Sequence, residues 1–490
     1  LSSASLPFTG GARYLGSNFP NRTWKTAYNK FGPRIGLAFQ ASDRVVLRGG
    51  YALMYLPTSQ RFYLTGTLGY AQQSQTTYTS TSVPTTTIAN PFPSGVLLPA
   101  GPAAGVTAGT GTSVSGAVYD NPLPYFQQMN AGVEAQIAQG IVLHLNYVGS
   151  HGVHLPINYR PNDLRDQYWG APGSQSQIDY LNASVANPFY GQAAAGPLAA
   201  PTTVQRVQLL SLYPQYTPNN GMMNTSLTVN QLGIGASIFN AAQAFITIQR
   251  SKNLSATISY TFSKLMGNTS PSLTGFLNAN GTPGTQNSYH ISDKEWSIMT
   301  SDIPHRFVAN ANYNLPFGRG QRFGGDVKPW LNQIVGGWSL NTIVAVQSGY
   351  ALGITQTGGQ AYSGSRPFFV PGAKPLTSGD VHRRLGGPGQ QSAYLDATAF
   401  RKATAFELGD VPRSSGRLRS PAGFQDDLSL LKHFPIHENI GLQLRLEAFN
   451  LMNKVQFGVP NTTFGSSTFG YITTQANSPR NIQVALKLLF

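Results

Sequence analysis

Between Leu254 and Lys264 the chain alternates without a break, with Ala256, Ile258, Tyr260 and Phe262 against Ser255, Thr257, Ser259, Thr261 and Ser263. A period of two places successive side chains on opposite faces of an extended strand, so this segment has one apolar face and one hydroxyl-rich face. The pattern returns at Val45 to Tyr55, through Val45, Leu47, Tyr51, Leu53 and Tyr55. At His305 to Leu315, Phe307, Ala309, Ala311 and Tyr313 oppose Arg306, Asn310, Asn312 and Asn314. A soluble sheet alternates too, and composition separates the two cases. Charged residues make up only 10% of the 490, with 53 Gly and 33 Pro, whereas soluble domains carry about 25% charge. No apolar run reaches the roughly 18 residues that a membrane helix needs. The longest charge-free stretch, Phe62 to Tyr119, is rich in Thr, Ser, Gly and Pro. With helices excluded, the structure that satisfies every backbone group in lipid is a closed barrel of polar-in, apolar-out strands.

Extending the reading gives 11 strands, at 31–40, 45–55, 125–137, 141–148, 240–250, 254–265, 305–315, 338–348, 425–434, 440–450 and 480–490. The connections between them alternate: 41–44, 138–140, 251–253 and 435–439 are short, 316–337 is of medium length, and 56–124, 149–239, 266–304, 349–424 and 451–479 are long. Bacterial barrels have short periplasmic turns and longer extracellular loops, which assigns each connection to a side of the membrane. Counting back from a last strand that ends in the periplasm puts residues 1–30 in an extracellular loop. An odd strand number and a first residue of Leu1 rather than Met then imply that the chain starts partway through a barrel. The expectation is an all-β, transmembrane, antiparallel barrel in which residues 1–490 form the C-terminal part of one domain.

The last residues, Ile482, Val484, Leu486, Leu488 and Phe490, form a period-two apolar stripe that closes on a terminal aromatic. This stripe resembles the signal read by the barrel-assembly machinery; a buried C-terminal strand of a soluble sandwich would alternate in the same way but has no need for a final Phe. Several other segments are similar to the C-terminal barrel of Oar-like, carboxypeptidase-regulatory-domain-containing TonB-dependent receptors. They include Phe31-Gly-Pro-Arg-Ile-Gly-Leu-Ala-Phe39 with Leu47-Arg-Gly-Gly-Tyr51, Asn146-Tyr-Val-Gly-Ser-His-Gly152, Tyr260-Thr-Phe-Ser-Lys264, Asp302-Ile-Pro-His-Arg-Phe307 and Leu315-Pro-Phe-Gly-Arg-Gly320. The closing set is Asp427-Leu-Ser-Leu-Leu-Lys432, Glu447-Ala-Phe-Asn450 with Asn453, Gln456-Phe-Gly458 and Pro479-Arg-Asn-Ile-Gln483. The resemblance covers nearly all of the chain outside the large loops. It implies a 22-stranded barrel with a plugged lumen, of which 11 strands are half. It also implies a plug, a TonB-contacting box and often a small β-sandwich upstream, none of which is legible in these residues.

Candidate sites are sparse. The acids number 18, and groups such as Asp293, Glu295 and Asp302, or Asp426 and Asp427, fall at strand ends where solvated charge is expected; no catalytic constellation is legible. His151 and His154 lie three apart just past a strand, where strand-to-loop geometry does not converge a metal pair as a helix would. Gly318 and Gly320 read as turn glycines. Arg306, Arg445 and Glu447 lie on the polar face of their strands and are expected to face the lumen. No cofactor or metal is expected. The segment 350–424 carries nine Lys and Arg against four acids. Its Arg366, Arg383, Arg384, Arg413, Arg417 and Arg419 are candidates to bind an anionic solute or lipopolysaccharide, since guanidinium pairs bidentately with carboxylate and phosphate. Asn187-Pro-Phe-Tyr190 and Tyr213-Pro-Gln-Tyr216 either stack on sugar rings or pack loop on loop.

The net charge of +15 is scattered, with no nucleic-acid-binding pattern. Either an anionic surface partner or balancing sequence upstream accounts for it. Zero cysteines exclude a disulfide framework. The function that the resemblance implies is energised import of a scarce solute such as a siderophore or glycan across a Gram-negative outer membrane. A plug occludes the barrel there, and the TonB energy complex pulls it. The rival readings are a surface adhesion or protein-export component and a soluble all-β binding protein.

Overall fold

The computed structural model describes residues 10–490 except 17–18, 23, 57–67, 71–73, 75–86, 94, 170–172, 218–225, 252, 270–283, 359–364, 380–382, 390–391 and 438–439. Eleven strands succeed one another in a single antiparallel path: β1 (Arg34–Ser42), β2 (Val45–Tyr55), β3 (Tyr125–Ala138), β4 (Ile141–Tyr159), β5 (Leu227–Ser251), β6 (Leu254–Gly267), β7 (His305–Asn314), β8 (Trp338–Gln347), β9 (Gly423–His437), β10 (Ile440–Phe449) and β11 (Asn481–Leu489). Each pairs with its sequence neighbour, and two short strands, Val114–Gly116 and Ser297–Ile298, join the sheet at β5 and β6. Among the described residues no pairing joins β11 back to β1. The ladder starts at Arg34 rather than Phe31, because Pro33 has no N–H to donate; its carbonyl still accepts from the Leu53 amide at 2.9 Å.

Register makes the sheet two-faced. One row of paired neighbours runs Phe39, Leu47, Val133, Leu145, Ala244, Tyr260, Phe307, Val346, Phe424, across nine strands with the Tyr260 hydroxyl as its one polar side-chain group. On the opposite face a row runs Gln483, Glu447, Ser429, Asn341, Asn312, Ser255, Gln249, polar throughout. A slip of one residue in any strand would exchange its faces. The tight turns hold this register with a common device: a one-residue irregularity just before the turn, at Gln40/Ser42, Gln136/Ala138, Gln249/Ser251 and Pro435/His437. Such bulges sharpen the local twist, and Gly140 takes the left-handed conformation (φ 71°) that one of these turns requires. The expected turns at 251–253 and 435–439 include residues 252 and 438–439, which lie outside the described residues.

Two strands outrun their expected limits. β4 continues to Tyr159 instead of stopping at 148, and β5 starts at Leu227 instead of 240. At about 3.3 Å per residue the 25 residues of β5 extend roughly 80 Å, whereas about 9–11 tilted residues cross a bilayer. More than half of this hairpin therefore stands on the side of the long loops.

Those loops have cores of their own. Leu352, Ile354, Leu395, Ala399, Phe400, Val411, Leu418 and Phe469 form the largest cluster, drawn from 348–422 and 450–480. Leu164, Leu181 and Val207 pack on Phe406 in a second, which joins the 160–226 loop to the 348–422 loop. The helices α1 (Gln175–Asn182) and α2 (Arg206–Leu209) lie in the former loop. A third helix, α3 (Pro329–Val335), lies at the opposite end of the sheet, between β7 and β8.

Candidate functional site

Charge that looks solvated in the sequence holds the loop layer together. Arg366 and Glu295 are each 1% exposed and form a two-pronged pair, Nη1 to Oε2 at 2.8 Å and Nη2 to Oε1 at 3.0 Å. A forked guanidinium matches a carboxylate in this way. Gln286 clasps the same pair: its amide donates to Glu295 at 3.0 Å, its Oε1 accepts from the Arg366 amide, and its Nε2 donates to the Gly409 carbonyl. Three segments that are distant in sequence meet here. Glu295 and Asp302 are therefore buried structural anions rather than solvated strand-end charges. Asp302 accepts from Arg419 Nη2 at 2.5 Å and from the Leu265 amide at 2.6 Å. Asp426 is buried as well, with Oδ2 receiving the Met452 amide at 2.9 Å.

Just past β4, Arg160 forms a second knot. It pairs with Asp163 (Nε to Oδ1 3.0 Å), and its Nη2 donates to the carbonyls of Thr285 and Gln286. Burial pushes the Asp163 carboxyl above its ordinary range, although Arg160 and Ser288 pull the other way. His290 bridges Asp166 (2.7 Å) and Asp293 (3.0 Å), tying the 160–226 loop to the 268–304 loop. Burial also raises the Glu407 carboxyl, but hydrogen bonds from Arg401 and Thr404 outweigh it and the group sits below the usual range.

The six candidate arginines divide. Arg366, Arg384 and Arg413 are buried. Arg384 donates to the Thr377, Ala393 and Gly379 carbonyls, and Arg413 donates to the Thr269 carbonyl. Burial, reinforced by Arg366 alongside, pulls Arg413 down to about 10, against the opposing pull of Glu295. Arg419 is mostly covered and committed to Asp302 and to the Gly349 carbonyl. Arg383 and Arg417 are exposed. The aromatic tracts divide as well: Phe189 and Tyr216 are buried and pack within the loops, the Asn187 amide caps the carbonyls of Leu198 and Pro201, and Tyr190 is exposed.

On the polar face of the sheet, Arg445 and Glu447 approach to 3.6 Å, and Gln483 donates to Glu447 at 2.8 Å. Arg306 is exposed on the same face, between Thr261 and Gln347 in register. His151 and His154 fall inside the lengthened β4 rather than in a loop. His154 has φ 56° and sets Nδ1 3.2 Å from the Gly233 carbonyl. Among the described residues no group of three or more His, Cys, Asp or Glu converges on a metal position. On the apolar face Ile482, Val484, Leu486 and Leu488 are exposed, as is Phe490 just beyond β11. Sequence reasoning missed Arg160, Asp163, Gln286 and His290; the i,i+3 spacings of Arg160 with Asp163 and His290 with Asp293 were the only local signal, and the other partners are up to 128 residues away.

A family model described as outer membrane beta barrel domain matches residues 2–483. No curated protein matches the chain. Solved structures that align with it include the outer membrane transporter YddB from Escherichia coli, with 10% identity, 94% of this chain and 40% of that chain covered, and a TM-score of 0.43. The siderophore receptor PirA from Acinetobacter baumannii aligns with 9% identity over 94% of this chain and 41% of that one, at a TM-score of 0.38. The pyoverdine outer membrane receptor FpvA from Pseudomonas aeruginosa, bound to pyoverdine, gives 9%, 94%, 36% and 0.36. The chain thus spans well under half the length of each.

Proposed function

The chain belongs to the outer membrane β-barrel domain family, and from that premise we propose that it forms part of the wall and outer loop layer of an Oar-like, TonB-dependent receptor importing a scarce solute such as a siderophore or glycan. The observation that carries this reading is the pairing of an apolar row across nine strands with a polar row behind it, topped at one end by loops with cores of their own. Such a wall faces hydrocarbon outside and water inside, and its loop layer packs around apolar cores of its own, from which it presents a binding surface. Solute capture then rests on Arg383 and Arg417, the exposed members of the basic set, while Arg306, Arg445 and Glu447 line the lumen. Lipopolysaccharide offers the loop arginines a second anionic partner. The barrel-assembly machinery reads Ile482, Val484, Leu486, Leu488 and Phe490. The TonB energy complex acts through an N-terminal plug.

In the native host, deletion of the inner-membrane energy complex is expected to abolish growth on the transported solute, and Arg383→Gln/Arg417→Gln to weaken its capture. A surface adhesion or protein-export role is the second reading, favoured by the extent of the folded loop layer. Growth that survives the deletion, together with adhesion lost when the loops are removed, would replace import with that role.

A further inference from the structure

The connection between β7 and β8, residues 315–337, is neither a tight turn nor a loose loop. Gly318 N–H donates to the Phe323 carbonyl (2.9 Å), Phe323 N–H to Pro316 (3.0 Å) and Gly320 N–H to Gly325 (3.1 Å), closing the first half on itself. Asn332 of α3 then accepts from the Arg319 amide at 2.7 Å and locks the two halves together. Gly318 (φ 109°) and Gly320 (φ 73°) supply the backbone that this fold needs. An ordered element of this kind should bury its large apolar side chains, yet Trp330 is 64% exposed, Ile334 59% and Phe323 51%, with Phe317 also exposed. Trp330 and Ile334 are four apart and share one face of α3. Around them stand Arg319, Arg322 and Lys328 against a single acid, Asp326.

The knob is continuous with the apolar face of the sheet. Trp338, the first residue of β8, pairs with Lys432 on that face, and its indole donates to the Ile334 carbonyl at 2.9 Å. Lys432 sends its ammonium to the Gly336 carbonyl, over the rings of Trp338 (5.3 Å) and Phe434 (5.0 Å). Trp, apolar side chains and cations at the end of a lipid-facing surface form the composition of a membrane interface, where indole sits at headgroup depth and Lys or Arg reaches phosphate.

We propose that residues 315–337 form an interfacial anchor, with Trp330 and Ile334 seated among the headgroups of the leaflet on the short-turn side and Arg319, Arg322 and Lys328 on anionic phosphates. The anchor rests on the reading of the apolar face as lipid-facing, and the test separates the two. The chain has no cysteine, so Trp330→Cys, Ile334→Cys, Val484→Cys and Ala100→Cys each accept one environment-sensitive fluorophore. Each labelled protein goes into phosphatidylethanolamine vesicles, with or without about one part in four of phosphatidylglycerol. Labels at 330 and 334 should be quenched by lipids brominated near the headgroup, the label at 484 by lipids brominated deep in the chain, and the label at 100 by neither. The signal at 330 should strengthen with phosphatidylglycerol, and Arg319→Gln/Arg322→Gln/Lys328→Gln should abolish that response. If 330 and 334 behave like 100 while 484 is quenched deep in the chain, the anchor is wrong and the lipid-facing wall stands. If 484 is also unquenched, both fall. Burial of 330 and 334 only when a second protein is added also overturns the anchor, in favour of a docking surface.

Discussion

Replacing Glu295 with Ala tests whether the loop layer is held by its buried charges. The carboxylate and Arg366 are both 1% exposed and share two hydrogen bonds of 2.8 and 3.0 Å. Removing one partner of such a pair strands the other charge out of water, which costs about 3–5 kcal/mol. A loss of about 3 kcal/mol multiplies local opening by roughly 150. Hydrogen exchange read by mass spectrometry should therefore accelerate by at least two orders of magnitude in peptides around 286–300 and 366–370, while peptides from β6 and β7 stay protected. The double variant Glu295→Leu/Arg366→Met removes both charges and fills the volume, so it should recover most of the loss. Exchange that changes less than about fivefold in Glu295→Ala, or a double variant no better than the single one, would refute the reasoning.

On the sheet, Ile258→Lys places an ammonium in the apolar face and should destabilise the wall by about 2–4 kcal/mol in bilayers. Thr257→Lys on the other face should leave it nearly unchanged, and urea unfolding in vesicles compares them. Gly337→Ala forces a side chain onto a backbone with φ 70° and puts a Cβ 2.5 Å from the His433 carbonyl. It should cost about 1–3 kcal/mol by the same measurement. Glu407 is held below its ordinary range, so its contribution is present above the unfolded carboxylate value and is lost as pH falls through the depressed folded value. Thermal unfolding of the loop layer should drop between about pH 5 and pH 3, and Glu407→Gln should flatten that drop; an unchanged slope would exclude the Arg401 and Thr404 contacts as its cause.

The lower wall is legible in the sequence because lipid enforces it. Every outward residue from Ala256 to Phe262 must be apolar and its alternates need not be, so the pattern is written residue by residue. Beyond Val148, β4 outruns the roughly 9–11 residues that cross a bilayer, and alternation no longer marks the fold. What persists there is close approach: a Cβ on Gly152 would lie 2.6 Å from Ser237 Oγ and 2.7 Å from Phe126, and one on Gly235 would lie 2.7 Å from the Leu155 carbonyl. Glycine in a strand often marks close backbone approach, and Gly149 and Gly152 lie just past the expected end of this strand at 148. The loop arginines fail differently. Arg366 and Arg383 are indistinguishable in a list of charges, and only a carboxylate 71 residues away decides that the first is buried and the second is left exposed.

The extended hairpin of β4 and β5 belongs to both regimes, and this gives it a role that neither half alone would suggest. Its lower residues, such as Leu145 against Ala244, sit in the apolar row. Its upper residues carry the loops: Val114–Gly116 pairs in parallel with Leu227–Val229, Asn121 accepts from the Gly233 amide and donates to the Gln231 carbonyl, and Arg160 leaves β4 directly into the Asp163 and Gln286 contacts. The ladder continues from one regime to the other through register shifts at Val153/Leu155, Leu155/Pro156 and Ile157/Tyr159, so a displacement of the loop layer has a backbone route to the wall. Asn121→Ala removes two hydrogen bonds of 2.8 Å each and should free residues 117–123 while leaving the Val114–Gly116 pairing, Arg160 and its partners in place. Exchange should then rise in that segment alone; a rise that spreads to peptides around 285–300 would mean that the loops move as one body and that the Asn121 contacts are not a separate attachment.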